Sequence, residues 1–95
     1  MMKINVLKKT KNELKIEIEG EGHTFCNLLQ DALLEDKAVE IAGYDIPHPL
    51  VAKPILHVRT RGDRSPERVL VKALERISRL NDEFLQEFEK AIQAQ

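Results

Sequence analysis

The 95-residue sequence predicts a single α+β domain in the order ββαββα: a four-stranded, largely antiparallel sheet, a short helix and a long C-terminal helix. Three observations predict it. Glu13 to Glu19 alternates charged and apolar residues without exception, the pattern of a strand with one wet and one covered face. Apolar residues from Leu70 to Ile92 recur at three- and four-residue steps, the period of an amphipathic helix. The strands come in runs of two with no βαβ alternation, which favours α+β over α/β.

Met2 to Leu7 reads as the first strand, with Met2, Ile4 and Val6 on one face. Lys9-Thr10-Lys11-Asn12 turns the chain into the second, whose Leu14, Ile16 and Ile18 should be covered. Gly20-Glu21-Gly22 ends that strand, and Thr24 is placed to cap a helix from Phe25 to about Glu35. Asn27 stands where a capping box uses Glu or Gln, so that signal is partial. Phe25, Leu28, Leu29, Ala32, Leu33 and Leu34 make more than one side of this helix apolar, with Cys26 adjacent. A stripe about 100° wide suffices to meet one core, so the rest is surplus. Val39 to Ile46 is the third strand, with Val39, Ile41 and Gly43 on one face and Ala42, Tyr44 and Ile46 on the other. Pro47-His48-Pro49-Leu50 must run extended, because proline donates no backbone hydrogen bond and disfavours helix in the residue before it. Ile55 to Thr60 is the fourth strand, ended by Arg61-Gly62-Asp63-Arg64.

Ser65 then caps the long helix and Pro66 suits its first position, where no N–H is needed. Leu70, Leu74, Ile77, Leu80, Phe84, Phe88 and Ala91/Ile92 form its stripe, with Ala73, Asn81 and Leu85 beside it and no Gly or Pro inside. Roughly 27 helical residues run about 40 Å. A compact chain of this length has a radius of gyration of about 12 Å and is roughly 30 Å across. The distal turns around Phe84, Leu85, Phe88 and Ile92 are therefore expected to overhang the core and bury against another chain.

Composition excludes several classes. With 42% hydrophobic and 33% charged residues the chain is globular rather than disordered. A net charge of −1, 4% aromatics and no Trp argue against a general nucleic-acid coat. A lone Cys26 allows neither an internal disulfide nor a Cys-based zinc site, as befits a reducing compartment. The first nine residues lack an apolar targeting segment, and no apolar run approaches the roughly 18 residues of a membrane span. A soluble, cytoplasmic chain is expected.

His23 precedes Cys26 by three residues, and a thiol in the first turn of a helix has its pKa lowered by the macrodipole. A Cys-His nucleophile would also need an oxyanion loop and a third member, and neither accompanies the pair. Phe25, Leu28 and Leu29 favour a small buried Cys instead. His23, His48 and His57 share no ligand spacing, and the scattered Gly20, Gly22, Gly43 and Gly62 build no phosphate loop. No catalytic residue, metal or cofactor is expected. Arg61-Gly62-Asp63 is a turn.

Charge on the long helix is more informative. Arg64, Arg68, Lys72, Arg76 and Arg79 follow at steps of four, four, four and three, while Asp82, Glu83, Glu87 and Glu89 crowd the distal end. This reverses the macrodipole preference, worth about 0.3–1 kcal/mol per charge, and like charges at i,i+4 repel. Glu75–Arg79 recovers little. The stripe is either a solvated face or a basic half that meets an acidic neighbour or nucleic acid. A small nucleic-acid-binding homodimer using it is the alternative function.

Gly22-His23-Thr24-Phe25-Cys26-Asn27-Leu28-Leu29 and Ala42-Gly43-Tyr44-Asp45-Ile46-Pro47-His48-Pro49-Leu50 are similar to signatures of the smaller alpha-like subunit of archaeal and eukaryotic RNA polymerases, subunit L in archaea. The resemblance covers nearly the whole chain, and the tail-less form looks archaeal. Cys26 departs from the Gly often found there. The family motif falls on His23, Thr24, Asn27, Gly43, Tyr44, Pro47, His48 and Pro49. The resemblance implies a non-catalytic assembly subunit of DNA-directed RNA polymerase. It would pair with a larger alpha-like subunit, as a counterpart of the bacterial alpha dimer, to form the platform for the two large catalytic subunits. No sequence-specific nucleic-acid contact is implied. The pairing face would comprise Phe25, Leu28 and Leu29 of the first helix and Leu70, Leu74, Ile77, Leu80, Phe84 and Phe88 of the last.

Overall fold

The computed structural model describes residues 3–20, 22–47, 53–77 and 81–94, without the side chains of residues 81–83. Its elements are β1 (Lys3–Lys9), β2 (Glu13–Glu19), α1 (His23–Leu34), β3 (Val39–Asp45), β4 (Ile55–Thr60), α2 (Pro66–Arg76) and α3 (Asn81–Gln93). The strands form one antiparallel sheet in the order β1-β2-β4-β3. Three helices pack on one face of it, so the α+β class and the antiparallel four-stranded sheet are those the sequence predicts.

Register explains the covered face. Leu14 and Ile16 of β2 lie opposite Val58 and Leu56 of β4, and Ile16 and Ile18 opposite Val6 and Ile4 of β1. Ala42 and Tyr44 of β3 extend the same face against Val58 and Leu56. Phe25, Leu29 and Leu33 of α1, Val69, Leu70, Ala73 and Leu74 of α2, and Phe84 and Phe88 of α3 close over it as one core. Each large side chain sealed here contributes about 1.5–3 kcal/mol.

Three local expectations are corrected. The third strand does not alternate throughout, because a bulge between Val39 and Ile41 adds a residue. Val39 thereby crosses to the face of Ala42 and Tyr44, pairs with Thr60 and falls to 7% exposure, while Ile41 points outward. A similar shift between Val6 and Lys8 leaves Leu7 half-exposed. Thr24 does not cap α1, which starts two residues earlier, at His23 after Gly22, with no side-chain cap. The Cys26 N–H closes the first turn directly on the Gly22 carbonyl, at 3.2 Å.

The largest correction concerns the C-terminal helix, which is two helices. Ile77 ends α2 in an extended conformation, φ −98° and ψ 99°, and α3 begins at Asn81. Ser65 accepts the Arg68 N–H as the predicted cap, with Pro66 in the first turn. The chain measures 37 Å in its longest dimension, too short to enclose a rod of about 40 Å. Phe84 and Phe88 do not overhang: they are 0% and 3% exposed in the chain's own core. Propensity and burial together account for this. Ile77 favours helix less than Ala, by up to roughly 0.7 kcal/mol, whereas sealing each phenylalanine contributes about 1.5–3 kcal/mol. Met2, His48, Pro49, Leu50, Arg79 and Leu80, and with them the Glu75–Arg79 pair, lie outside the described residues.

Candidate functional site

The surplus of apolar residues on the first helix has a clear structural counterpart. Phe25, Cys26, Leu29, Ala32 and Leu33 are buried, but Leu28 and Leu34 remain 48% and 52% exposed. Burial of one side of α1 against the sheet thus consumes only part of its hydrophobic surface. Of the residues expected on a pairing face, Leu28 is exposed and Ile77 partly buried, while Phe25, Leu29, Leu70, Leu74, Phe84 and Phe88 are interior.

An aromatic line joins the first and last helices. The ring centroids of Phe25 and Phe84 lie 5.4 Å apart and those of Phe84 and Phe88 6.2 Å apart, at tilts of 39° and 33°. Such spacing lies within the range where aromatic pairs add stabilisation beyond area burial. It also means that α3 now covers Phe25.

The two stretches carrying the family motif meet in space. His23 Nδ1 and the Tyr44 hydroxyl share a 2.9 Å hydrogen bond, and the rings stand edge-on with centroids 5.6 Å apart. This contact ties the start of α1 to the end of β3. Thr24 and Asn27 are exposed, as is Pro47 beyond β3. Cys26 is fully buried, out of reach of any substrate, so the Cys-His nucleophile has no physical basis. No helix among the described residues is long and apolar enough to cross a membrane.

The outer face of the sheet is laced by ion pairs that the sequence did not disclose. Glu13 accepts from Lys8 at 2.5 Å and from the His57 Nε2 at 2.6 Å. Lys8, and after it His57, hold the Glu13 carboxyl down to about 2 despite the opposing effect of burial. Asn5 donates to Glu17 and Glu19, Lys53 lies 3.8 Å from Glu19, and Arg59 3.4 Å from Glu40. His57 sits inside β4 in this cluster. Glu13 and His57 are 44 residues apart, so only strand register brings them together.

The basic stripe divides. Arg76 turns to α1, where its Nη1 donates to the Ala32 carbonyl at 3.0 Å and lies 3.7 Å from Glu35. Arg64, Arg68 and Lys72 stay exposed and border a hollow of about 260 Å³ with Asp36, Asp63, Ser65 and Val69.

Comparison with known proteins identifies the family. Residues 13–87 match the RNA polymerase Rpb3/Rpb11 dimerisation domain. The chain is 50% identical over 91 residues to DNA-directed RNA polymerase subunit Rpo11 of Methanothrix thermoacetophila, covering 96% of this chain and 99% of that one. It is 41% identical to subunit Rpo11 of Pyrococcus furiosus, covering 98% and 100%. Its fold is similar to the crystal structure of DNA-directed RNA polymerase subunit L from Thermoplasma acidophilum, with a TM-score of 0.73 and 26% identity across 99% of this chain and 92% of that one. From the four-stranded sheet with its helical layer, and from these relatives, the chain belongs to the RNA polymerase Rpb3/Rpb11 dimerisation-domain family, whose members are non-catalytic assembly subunits of the polymerase.

Proposed function

We propose that residues 1–95 act as one dimerisation domain that pairs with the larger alpha-like subunit of a DNA-directed RNA polymerase in the cytoplasm. The chain is then the counterpart of the subunit called L in the Thermoplasma acidophilum structure, and the heterodimer is the platform on which the two large catalytic subunits assemble. It holds no active site and needs no cofactor for this role. The observation that carries the proposal is α1, which leaves Leu28 and Leu34 half-exposed after burying its other side. Obligate interfaces resemble a core cut in half, and such surplus is one half of that core.

The pairing face centres on Leu28 and draws on Phe25, Ile77, Leu80, Phe84 and Phe88, with Leu29, Leu70 and Leu74 supporting it from the core. Phe25, Phe84 and Phe88 already pack on each other within the chain. Pairing through them requires α3 to exchange this internal contact for one with the partner. The exchange is energetically accessible because the apolar surface is transferred from one cover to another, not exposed to water. Co-expression with the larger alpha-like subunit, followed by gel filtration, tests the proposal. A one-to-one complex supports it, and separate elution of the two chains rejects it.

A further inference from the structure

We propose that the free edge of β3, from Ile41 to Asp45, receives an extended segment of a large catalytic subunit as a fifth strand, with a large apolar side chain of that segment seated over Gly43. The inference rests on the assembly role proposed above. Its starting point is a glycine that the described chain does not itself require. Gly43 lies inside β3, where glycine weakens a strand and packs nothing. Its φ is not positive, and a Cβ built on it would meet the Gln30 Oε1 at 3.9 Å, an ordinary contact. The bulge of this strand lies elsewhere, between Val39 and Ile41. The use left for a glycine at this position is the close approach of another chain.

Register identifies the open backbone groups. Ile18 and Thr60 donate their N–H groups to the Pro54 and Asn12 carbonyls, both at 2.8 Å. On β4 the even-numbered residues therefore turn toward β2, and Ile55, His57 and Arg59 turn toward β3. Their partners Asp45, Gly43 and Ile41 turn back toward β4. Ala42 and Tyr44 are left with N–H and C=O groups directed off the sheet, and no backbone group among the described residues meets them. Standing about 7 Å apart, they match alternate residues of an extended chain. The opposite edge is blunted, since β1 carries Lys3, Lys8 and Lys9, contains a bulge and packs against α3. Ile41 to Asp45 contains no lysine, proline or bulge.

The surface beside this edge selects the side chain. On the outer face of the sheet a hollow of about 360 Å³ opens over Gly43, walled by Ile41, Ile55 and His57. Lys15 on β2 and Asp45 on β3 border it with opposite charges, so neither sign of charge on an occupant is favoured and the isoleucines decide. The residue of an added strand directly opposite Gly43 would lean into this space, as aromatic side chains do beside edge glycines. A second copy of the chain fits worse. Edge-to-edge pairing centred on Gly43 would set glycine against glycine and leave the hollow unfilled. Pairing through the helices uses the other face of the sheet and leaves the hollow open, so the large subunits that assemble on the pair supply the strand.

The test uses the reconstituted heterodimer with the larger alpha-like subunit and the purified large catalytic subunits. Gly43→Val, which fills the hollow with a residue suited to a strand, and the milder Gly43→Ala are compared with the native chain after circular dichroism shows that each is folded. The expected result is an intact heterodimer whose affinity for the large subunits falls about tenfold with Gly43→Val and less with Gly43→Ala. In the native assembly, amide hydrogen exchange at Ala42 and Tyr44 should be rapid in the heterodimer and slow by about tenfold or more once the large subunits bind. This second measurement needs no variant and decides alone if Gly43→Val does not fold. Unchanged affinity of Gly43→Val, or no slowing at the two amides, would overturn the proposal. Full protection of these amides in the heterodimer, or loss of the heterodimer with a folded Gly43→Val, would place the edge against the pairing partner and overturn it too. Failure of the native chain to pair would instead reject the assembly role on which the proposal rests.

Discussion

The two layers of the molecule treat their surfaces differently. On the outer face of the sheet, Lys8, Lys53 and Arg59 meet Glu13, Glu19 and Glu40, and Asn5 ties Glu17 to Glu19. The helical layer leaves Leu28 and Leu34 of α1 half-exposed. The sheet also leaves Leu7 and Ile41 half-exposed, so the layers differ in their charges rather than in their apolar surface: ion pairs knit the strands across the sheet, whereas Leu28 and Leu34 stand out from a helix whose other side is sealed.

Four substitutions break or sharpen this contrast. The largest effect belongs to Phe84→Ala, which opens a cavity where α3 meets Phe25. It should cost the isolated chain about 3–5 kcal/mol, measured by denaturant unfolding. Next comes Leu28→Glu, which removes apolar surface from the proposed pairing face without touching the core. Heterodimer formation should weaken by about 2 kcal/mol, roughly thirtyfold, in a titration with the larger subunit. The stability of the isolated variant should change by less than about 0.5 kcal/mol.

On the outer face of the sheet, Lys8 and then His57 hold the Glu13 carboxyl down to about 2 from its ordinary 4.5 by stabilising the carboxylate. The folded state therefore binds this proton less readily than the unfolded state. Its contribution to stability is present above pH 4.5 and is lost as the pH falls toward 2. Acid unfolding of Glu13→Gln should show a flatter dependence across that window, and a carboxyl resonance titrating near 4.5 in the native chain would contradict the account. The smallest effect is expected for Arg76→Gln, which weakens the tie to the Ala32 carbonyl at a largely exposed site. Thermal unfolding should register about 0.5–1 kcal/mol.

How far the sequence discloses this arrangement depends on the range of the interaction. Glu13 to Glu19 alternates so strictly that strand, covered face and antiparallel class are all legible in it. The split between α2 and α3 is not, because Leu70, Leu74, Ile77, Leu80, Phe84 and Phe88 keep one helical phase across it. Periodicity reports which residues seek cover, and the break at Ile77 is settled by what covers them. The bulge beside Glu40 escapes notice for a related reason: one extra residue reverses the face of Val39 while leaving its composition strand-like. The aromatic and apolar surplus of α1 is legible in its composition, and the structure separates the sealed members from Leu28 and Leu34. The contacts His23–Tyr44 and Glu13–His57 join residues far apart in the chain, so no local pattern encodes them.

The central claim is that the helical layer is one half of a shared core. Its most direct test is to co-express the chain with the larger alpha-like subunit and measure the mass of the purified product by analytical ultracentrifugation. The account predicts a single one-to-one species that persists on dilution and is lost with Leu28→Glu. Two separate species, or a one-to-one complex indifferent to Leu28→Glu, would contradict it.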